Sequence, residues 1–325
     1  MLDKCNYVRL FGTSPKFFKV NLNCRTNLSD GQYTPEEIKE LYKSHGYSAV
    51  AFSDSGKMIA HDELNDKDFI ALSALEFTVT EESGKKVSLN AIALEPGAKA
   101  PTLPTDEPMS DRDIKKLINE FKDNGFFVTC NHPRKSLVSC QKGTAYEDVD
   151  AIEILNYSSL VSGINEYNEN YYEDVLKSGI LPRCVAADGN TNNLPVGYRG
   201  SDSLGAYVII VAEELSYGAI ADALKKGRFY SSEGPEIYDL WYRSEVLYLR
   251  CSPCDKVIFE SGTRREVFFA ENGNLLDGKG MCFWVMPEHE YVRVTIVDKN
   301  GKKAFTNAYP SNEIFYTYEK VGDLK

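Results

Sequence analysis

The sequence predicts a mixed α/β fold: a repeated β/α unit over residues 1–235, followed by a small all-β domain over residues 236–325. Three observations predict it. Short apolar strands alternate with helix-period segments through the first part, as parallel barrels and doubly wound sheets require. Polar residues gather just after the strand ends, at Ser53-Asp54-Ser55, Asn131-His132-Pro133 and Asp188-Gly189-Asn190, where such folds place their sites. After Gly234-Pro235 the helical period disappears and short runs divided by turns take over.

The elements follow in order. Phe17 to Leu22 is a short apolar strand. Thr34-Pro35-Glu36-Glu37 then opens a helix, with Thr34 as cap, Pro35 at the first helical position and Glu37 closing a capping box. Ile38, Leu41 and Tyr42 form its apolar stripe and Gly46 ends it. Tyr47 to Phe52, Phe69 to Glu76 and Val87 to Leu94 are strands, the last two joined by a polar Glu81-Glu82-Ser83-Gly84 turn. Ser110 caps a helix with Ile114, Leu117, Ile118 and Phe121 on one face, and Gly125 stops it. Phe126–Cys130, Ala151–Leu155 and Arg183–Ala187 are the following strands. Beyond residue 235, six short strands lie between turns that include Asn272-Gly273 and Asn300-Gly301, and a sandwich is expected.

Net charge is −11, which argues against a nucleic-acid partner. No apolar run reaches the roughly 18 residues of a membrane span. The start of the chain lacks the layout of a secretory signal, so its eight cysteines are expected to be reduced thiols in a cytoplasm. Cys251 and Cys254 form a lone CxxC between strands, read as a turn because no further ligands complete a zinc site. The chain has four histidines, His45, His61, His132 and His289.

Asn23-Cys24-Arg25-Thr26-Asn27-Leu28-Ser29-Asp30-Gly31, Thr34-Pro35-Glu36-Glu37 and Ala51-Phe52-Ser53-Asp54-Ser55 resemble the opening of the polymerase and histidinol phosphatase (PHP) family. Leu75-Glu76, Asn131-His132-Pro133 and Ala187-Asp188-Gly189-Asn190 continue the likeness over residues 17–235. The resemblance implies a distorted, TIM-like β/α barrel. It also implies a multi-metal centre that hydrolyses phosphate esters with metal-activated water. Carried over position by position, Asp30, Glu76, His132 and Asp188 keep ligand residues, while Asn23, Arg25, Ser55, Asn90 and Asn190 stand where histidines are expected. Imidazole is a major donor for zinc, manganese and iron, asparagine is a feeble one and arginine is none. The carried-over geometry places Arg25 among the acids, where it is expected to pair with Glu76 and Asp188 in place of a metal.

Two functions stay open. In one, metal-dependent hydrolysis is lost, no cofactor is expected, and the old pocket, with Arg134 on its rim, takes a small phosphate- or carboxylate-bearing ligand. In the other, Asp30, Glu76, His132 and Asp188 hold one manganese, iron or zinc ion and an active phosphoesterase remains. A third expectation is an enzyme-like scaffold whose β domain docks a protein or glycan partner.

Overall fold

The structure is a computed structural model, and it describes residues 7–12, 16–164, 167–271, 275–278, 281–286 and 288–323. The first elements are β1 (Val8–Arg9), β2 (Lys16–Cys24), α1 (Pro35–Ser44), β3 (Tyr47–Phe52), β4 (Ile70–Glu81) and β5 (Lys86–Ala93). Then come β6 (Pro108–Met109), α2 (Asp111–Asp123), β7 (Phe126–Cys130), β8 (Ala151–Asn156), α3 (Tyr157–Val161), α4 (Glu169–Lys177) and β9 (Arg183–Ala187). The expected local chemistry is present. Thr34 and Glu37 make both bonds of the capping box on α1, and the Ser110 side chain caps α2 at Asp113 N. Each capping side chain satisfies a backbone N–H that the helix itself leaves unpaired.

Of these strands, β2 to β5 and β7 to β9 lie side by side in one large sheet in the order β2-β3-β4-β5-β7-β8-β9, and β6 pairs with β4. The joins β2–β3, β3–β4, β7–β8 and β8–β9 are parallel, as expected. The joins β4–β5 and β5–β7 are antiparallel, which corrects the expectation of purely parallel structure. The tight turn at Gly84, with φ +81°, leaves β5 no crossover and obliges it to run back beside β4. No closed barrel ladder exists among the described residues. Instead the chain just after β9 touches the end of β2: Gly189 N donates to Asn23 O at 3.0 Å and Arg25 N to Asn190 O at 3.1 Å. Val20 and Leu22 of β2 share one buried cluster with Val185 and Ala187 of β9. That curl brings the loops after both strands to one place.

The remaining elements are β10 (Tyr207–Ala212), α5 (Tyr217–Lys226), β11 (Phe229–Ser232), β12 (Ile237–Arg243), β13 (Val246–Cys251) and β14 (Lys256–Ser261). After them come β15 (Arg265–Phe269), β16 (Met281–Trp284), β17 (Tyr291–Val297), β18 (Lys303–Thr306), β19 (Tyr309–Pro310) and α6 (Ser311–Asp323). Strands β1, β12, β13 and β16 make a separate four-stranded sheet. The other tail strands extend the large sheet through β11–β18 pairing. Both sets bury Leu247, Phe259, Phe283, Val294 and Ile296 in one cluster. The expected purely all-β tail is corrected by α6, whose Ile314 joins that cluster. Its Phe315-Tyr316-Thr317-Tyr318 run carries strand-favouring side chains, which mask the helical period. The Asn272-Gly273 turn lies outside the described residues. Cys251, which ends β13, and Cys254, in the turn before β14, are buried and unbridged, with sulfurs 3.9 Å apart.

Candidate functional site

Strand β2 delivers Asn23 to the site, Arg25 follows directly after its end, and the loop that continues returns over them. Gly31 makes that return possible: a Cβ there would lie 2.5 Å from Arg25 O and 2.8 Å from Thr26 O. Asp54, just past β3, pins the loop by accepting from Thr26 N at 2.9 Å, Thr26 Oγ1 at 2.9 Å and Ser29 Oγ at 2.5 Å. The Arg25 guanidinium is thereby held against two acids. Its Nη2 donates to Glu76 Oε1, and its Nη1 donates to Asp30 Oδ2 at 3.3 Å.

Glu76 is the centre of this cluster. While Arg25 holds one oxygen, Asn23 Nδ2 and Asn131 Nδ2 donate to Oε2 at 2.9 and 3.0 Å. Burial pushes the Glu76 carboxyl up, but the Arg25 charge and the Asn23 bond outweigh it and hold it below its ordinary value. Asn90 faces Glu76 across the β4–β5 ladder and donates to Leu22 O at 2.8 Å. The side-chain oxygens of Asn23 and Asn90, and Arg25 Nε, are buried without a hydrogen-bond partner.

Asp188 belongs to a different cluster. The expected Arg25–Asp188 pair is not formed, because the loop before β10 turns its backbone onto Asp188. Oδ1 accepts from Gly205 N at 2.8 Å and Ala206 N at 2.9 Å. Oδ2 accepts from Tyr42 Oη at 2.6 Å and Leu204 N at 2.8 Å. Burial nevertheless lifts this carboxyl to about 6, against the pull of those donors. Asn190 sits in the same interior network, donating to Asn192 Oδ1 at 2.7 Å and Ser203 Oγ at 3.1 Å.

His132 has φ +30°, a strained conformation for a non-glycine residue, and it is fixed from three sides. Glu153 Oε2 accepts from His132 N at 2.7 Å, Ser136 N donates to His132 O at 3.0 Å, and Ser136 Oγ lies 3.0 Å from the ring Nδ1. Burial pushes the imidazole down to about 4, against the attraction of Glu76. Arg134 is exposed and reaches Tyr167 O at 3.5 Å. Ser55 is also exposed, and only its backbone bridges to Glu76. The structure thus gathers Arg25, Asp30, Glu76, Asn23 and Asn90, with His132 beside them. It leaves Asp188 and Asn190 in a neighbouring network and Ser55 and Arg134 at the surface. Glu153, Asn131 and Tyr42 carry much of this geometry and were not among the expected site residues. An acid inside the apolar run Ala151-Ile152-Glu153-Ile154-Leu155 is the signal that marks Glu153.

The donor set does not suit the divalent metal that the sequence resemblance implies. A carboxylate offers about four lone-pair positions, and Asp188 has four donors on them while Glu76 has three. A dication on Glu76 would also have to displace a permanent guanidinium. Among the described residues no group of three or more His, Cys, Asp or Glu side chains is placed to hold a metal ion.

No protein-family model matches the sequence, and no curated protein matches it. Solved structures of similar shape include a protein with a predicted PHP-like phosphoesterase, a proposed metal-dependent phosphoesterase and an amidohydrolase. One is a two-domain protein containing a predicted PHP-like metal-dependent phosphoesterase from Bacteroides vulgatus ATCC 8482. It is 13% identical with TM-score 0.46 over 90% of this chain and 95% of that one. Another is a proposed metal-dependent phosphoesterase from Bifidobacterium adolescentis ATCC 15703, 14% identical with TM-score 0.40 over 57% and 92%. A third is an amidohydrolase from Chromobacterium violaceum with bound sulfate and no metal, 12% identical with TM-score 0.36 over 55% and 92%. At such identities and TM-scores the likeness carries no chemistry across.

Proposed function

We propose that this chain is a phosphoesterase-like protein that has lost metal-dependent hydrolysis and uses the pocket around Arg25 to bind a small phosphate- or carboxylate-bearing ligand. One observation carries the reading: a guanidinium sits on Glu76, whose other oxygen is already satisfied by Asn23 and Asn131. The ligand's seat is that of Asp30. The Asp30 side chain is 55% exposed and its bond to Arg25 is long, whereas the Glu76 side chain is 7% exposed. An incoming anion replaces Asp30 on Nη1, and Arg25 Nε is a further donor without a partner. His132 is neutral at pH 7, so it contributes a hydrogen bond and no charge.

The same reading takes the curled sheet as a distorted barrel ending near residue 235, with the later strands as a smaller β unit. It sets the protein in a reducing cytoplasm, in keeping with the seven free cysteines among the described residues. Among the described residues no helix is long and apolar enough to cross a membrane.

The test is elemental analysis of protein purified without chelator and offered manganese, iron and zinc, together with hydrolysis of para-nitrophenyl phosphate. The expected result is less than a stoichiometric ion and no metal-dependent turnover. One tightly held ion per chain with metal-dependent hydrolysis overturns the proposal.

A further inference from the structure

A cavity of about 430 Å³ lies between β2, β10 and the first tail strand, β12. Its wall is made by Phe17, Tyr207, Ile209, Tyr230 and Tyr238. Phe17 and Tyr238 are 42% and 41% exposed, while Tyr207 and Tyr230 are buried, so the aromatic surface runs from solvent into the protein. Among the described residues Lys19 is the only lysine or arginine on the lining. Its Nζ lies 4.0 Å from the Tyr47 ring centroid and 4.2 Å from that of Tyr207. Among the described residues no carboxylate lies within ion-pair distance of it. Among the described residues Glu236 is the one acid on the lining.

A half-buried ammonium that touches only ring faces, with Asp188 attracting it from beyond ion-pair distance, is incompletely compensated. Cation–π contact returns part of what desolvation costs, and a counter-ion would return more. Burial accordingly pulls the Lys19 ammonium below its ordinary value. The cavity has the size and the mixture of apolar wall and few polar groups that small-ligand sites show. Lys19 and Asn23 are four residue steps apart, about 13 Å along β2, so this cavity is distinct from the pocket around Arg25.

We propose that this cavity is a binding site for a small organic anion with a flat aromatic body, such as an aromatic carboxylate, whose charged group pairs with Lys19 while its ring packs among Phe17, Tyr230 and Tyr238. The experiment is calorimetric titration of the full chain with 2-naphthoate and with its neutral analogue 2-naphthalenemethanol. Naphthoate is expected to bind at least about tenfold more tightly, as a charge-assisted contact implies. Lys19→Met should erase that preference, and Tyr238→Ala, a change at an exposed ring, should weaken both probes. Equal affinity for the two probes, no measurable binding of either, or binding unaffected by both variants would overturn the assignment. If Lys19→Met does not fold, the comparison of probes on the unaltered chain and the Tyr238→Ala result decide it.

Discussion

Replacing Arg25 by methionine isolates the contact on which the site is built. The substitution keeps the packing of the aliphatic stem and removes the charge that faces Glu76. Glu76 would remain buried with two amide donors and no cation. Breaking one partner out of a buried ion pair costs about 3–5 kcal/mol. The surviving bonds from Asn23 and Asn131 place this case at the lower end, at about 3 kcal/mol. Urea denaturation followed by circular dichroism reads the loss as a lower midpoint at constant slope. Adding Glu76→Gln to Arg25→Met should recover most of it, because no buried charge is then left unpaired. The sign with pH is also fixed. Glu76 is held below its ordinary 4.5, so its contribution is present above that pH and is lost as pH falls through the folded-state value. The gap between wild type and Arg25→Met should therefore narrow on acidification. A cost under about 0.5 kcal/mol, the range of an ordinary surface change, or no recovery in the double variant would refute the reasoning.

Other consequences are open to measurement. Asp188 is raised to about 6 from 3.8, so its contribution to stability is full below pH 3.8 and is lost as pH rises through 6. His132 is lowered to about 4 from 6.5, so its contribution is full above 6.5 and is lost as pH falls through 4. Each amounts to about 3 kcal/mol and they oppose one another. Between pH 4 and 6, stability of Asp188→Asn should rise with pH and that of His132→Gln should fall, as read by urea titrations; equal slopes would count against both assignments. Gly31→Ala should lower stability by about 1–3 kcal/mol and weaken phosphate binding, since its Cβ meets the Arg25 carbonyl; unfolding and calorimetry check the two effects. Asp30→Asn should tighten phosphate binding by roughly twofold to fivefold, the worth of an exposed ion pair, and unchanged affinity would remove Asp30 from the ligand's seat.

Much of the local structure was legible because it depends on adjacent residues. The Thr34–Glu37 capping box, the Ser110 cap and the apolar stripe of α2 are all short-range patterns. Arg25 among acids was legible too, but its choice of acid was not. The sequence resemblance set Glu76 and Asp188 on equal terms, and the outcome depends on backbone N–H groups of Leu204, Gly205 and Ala206, some sixteen to eighteen residues from Asp188. The β11–β18 pairing that joins the tail to the large sheet spans more than seventy residues, and no periodicity reports it. Helix α6 was hidden for a different reason: its aromatic residues favour strands locally, and only packing against the tail cluster decides for helix.

The central claim is that a guanidinium holds the seat a metal would need. Crystals soaked in manganese and measured at a wavelength where manganese scatters anomalously test it most directly. The account predicts Arg25 Nη2 on Glu76 and no anomalous peak among Glu76, His132 and Asp188. An ordered manganese ion coordinated by those three side chains, with Arg25 swung away, would contradict it.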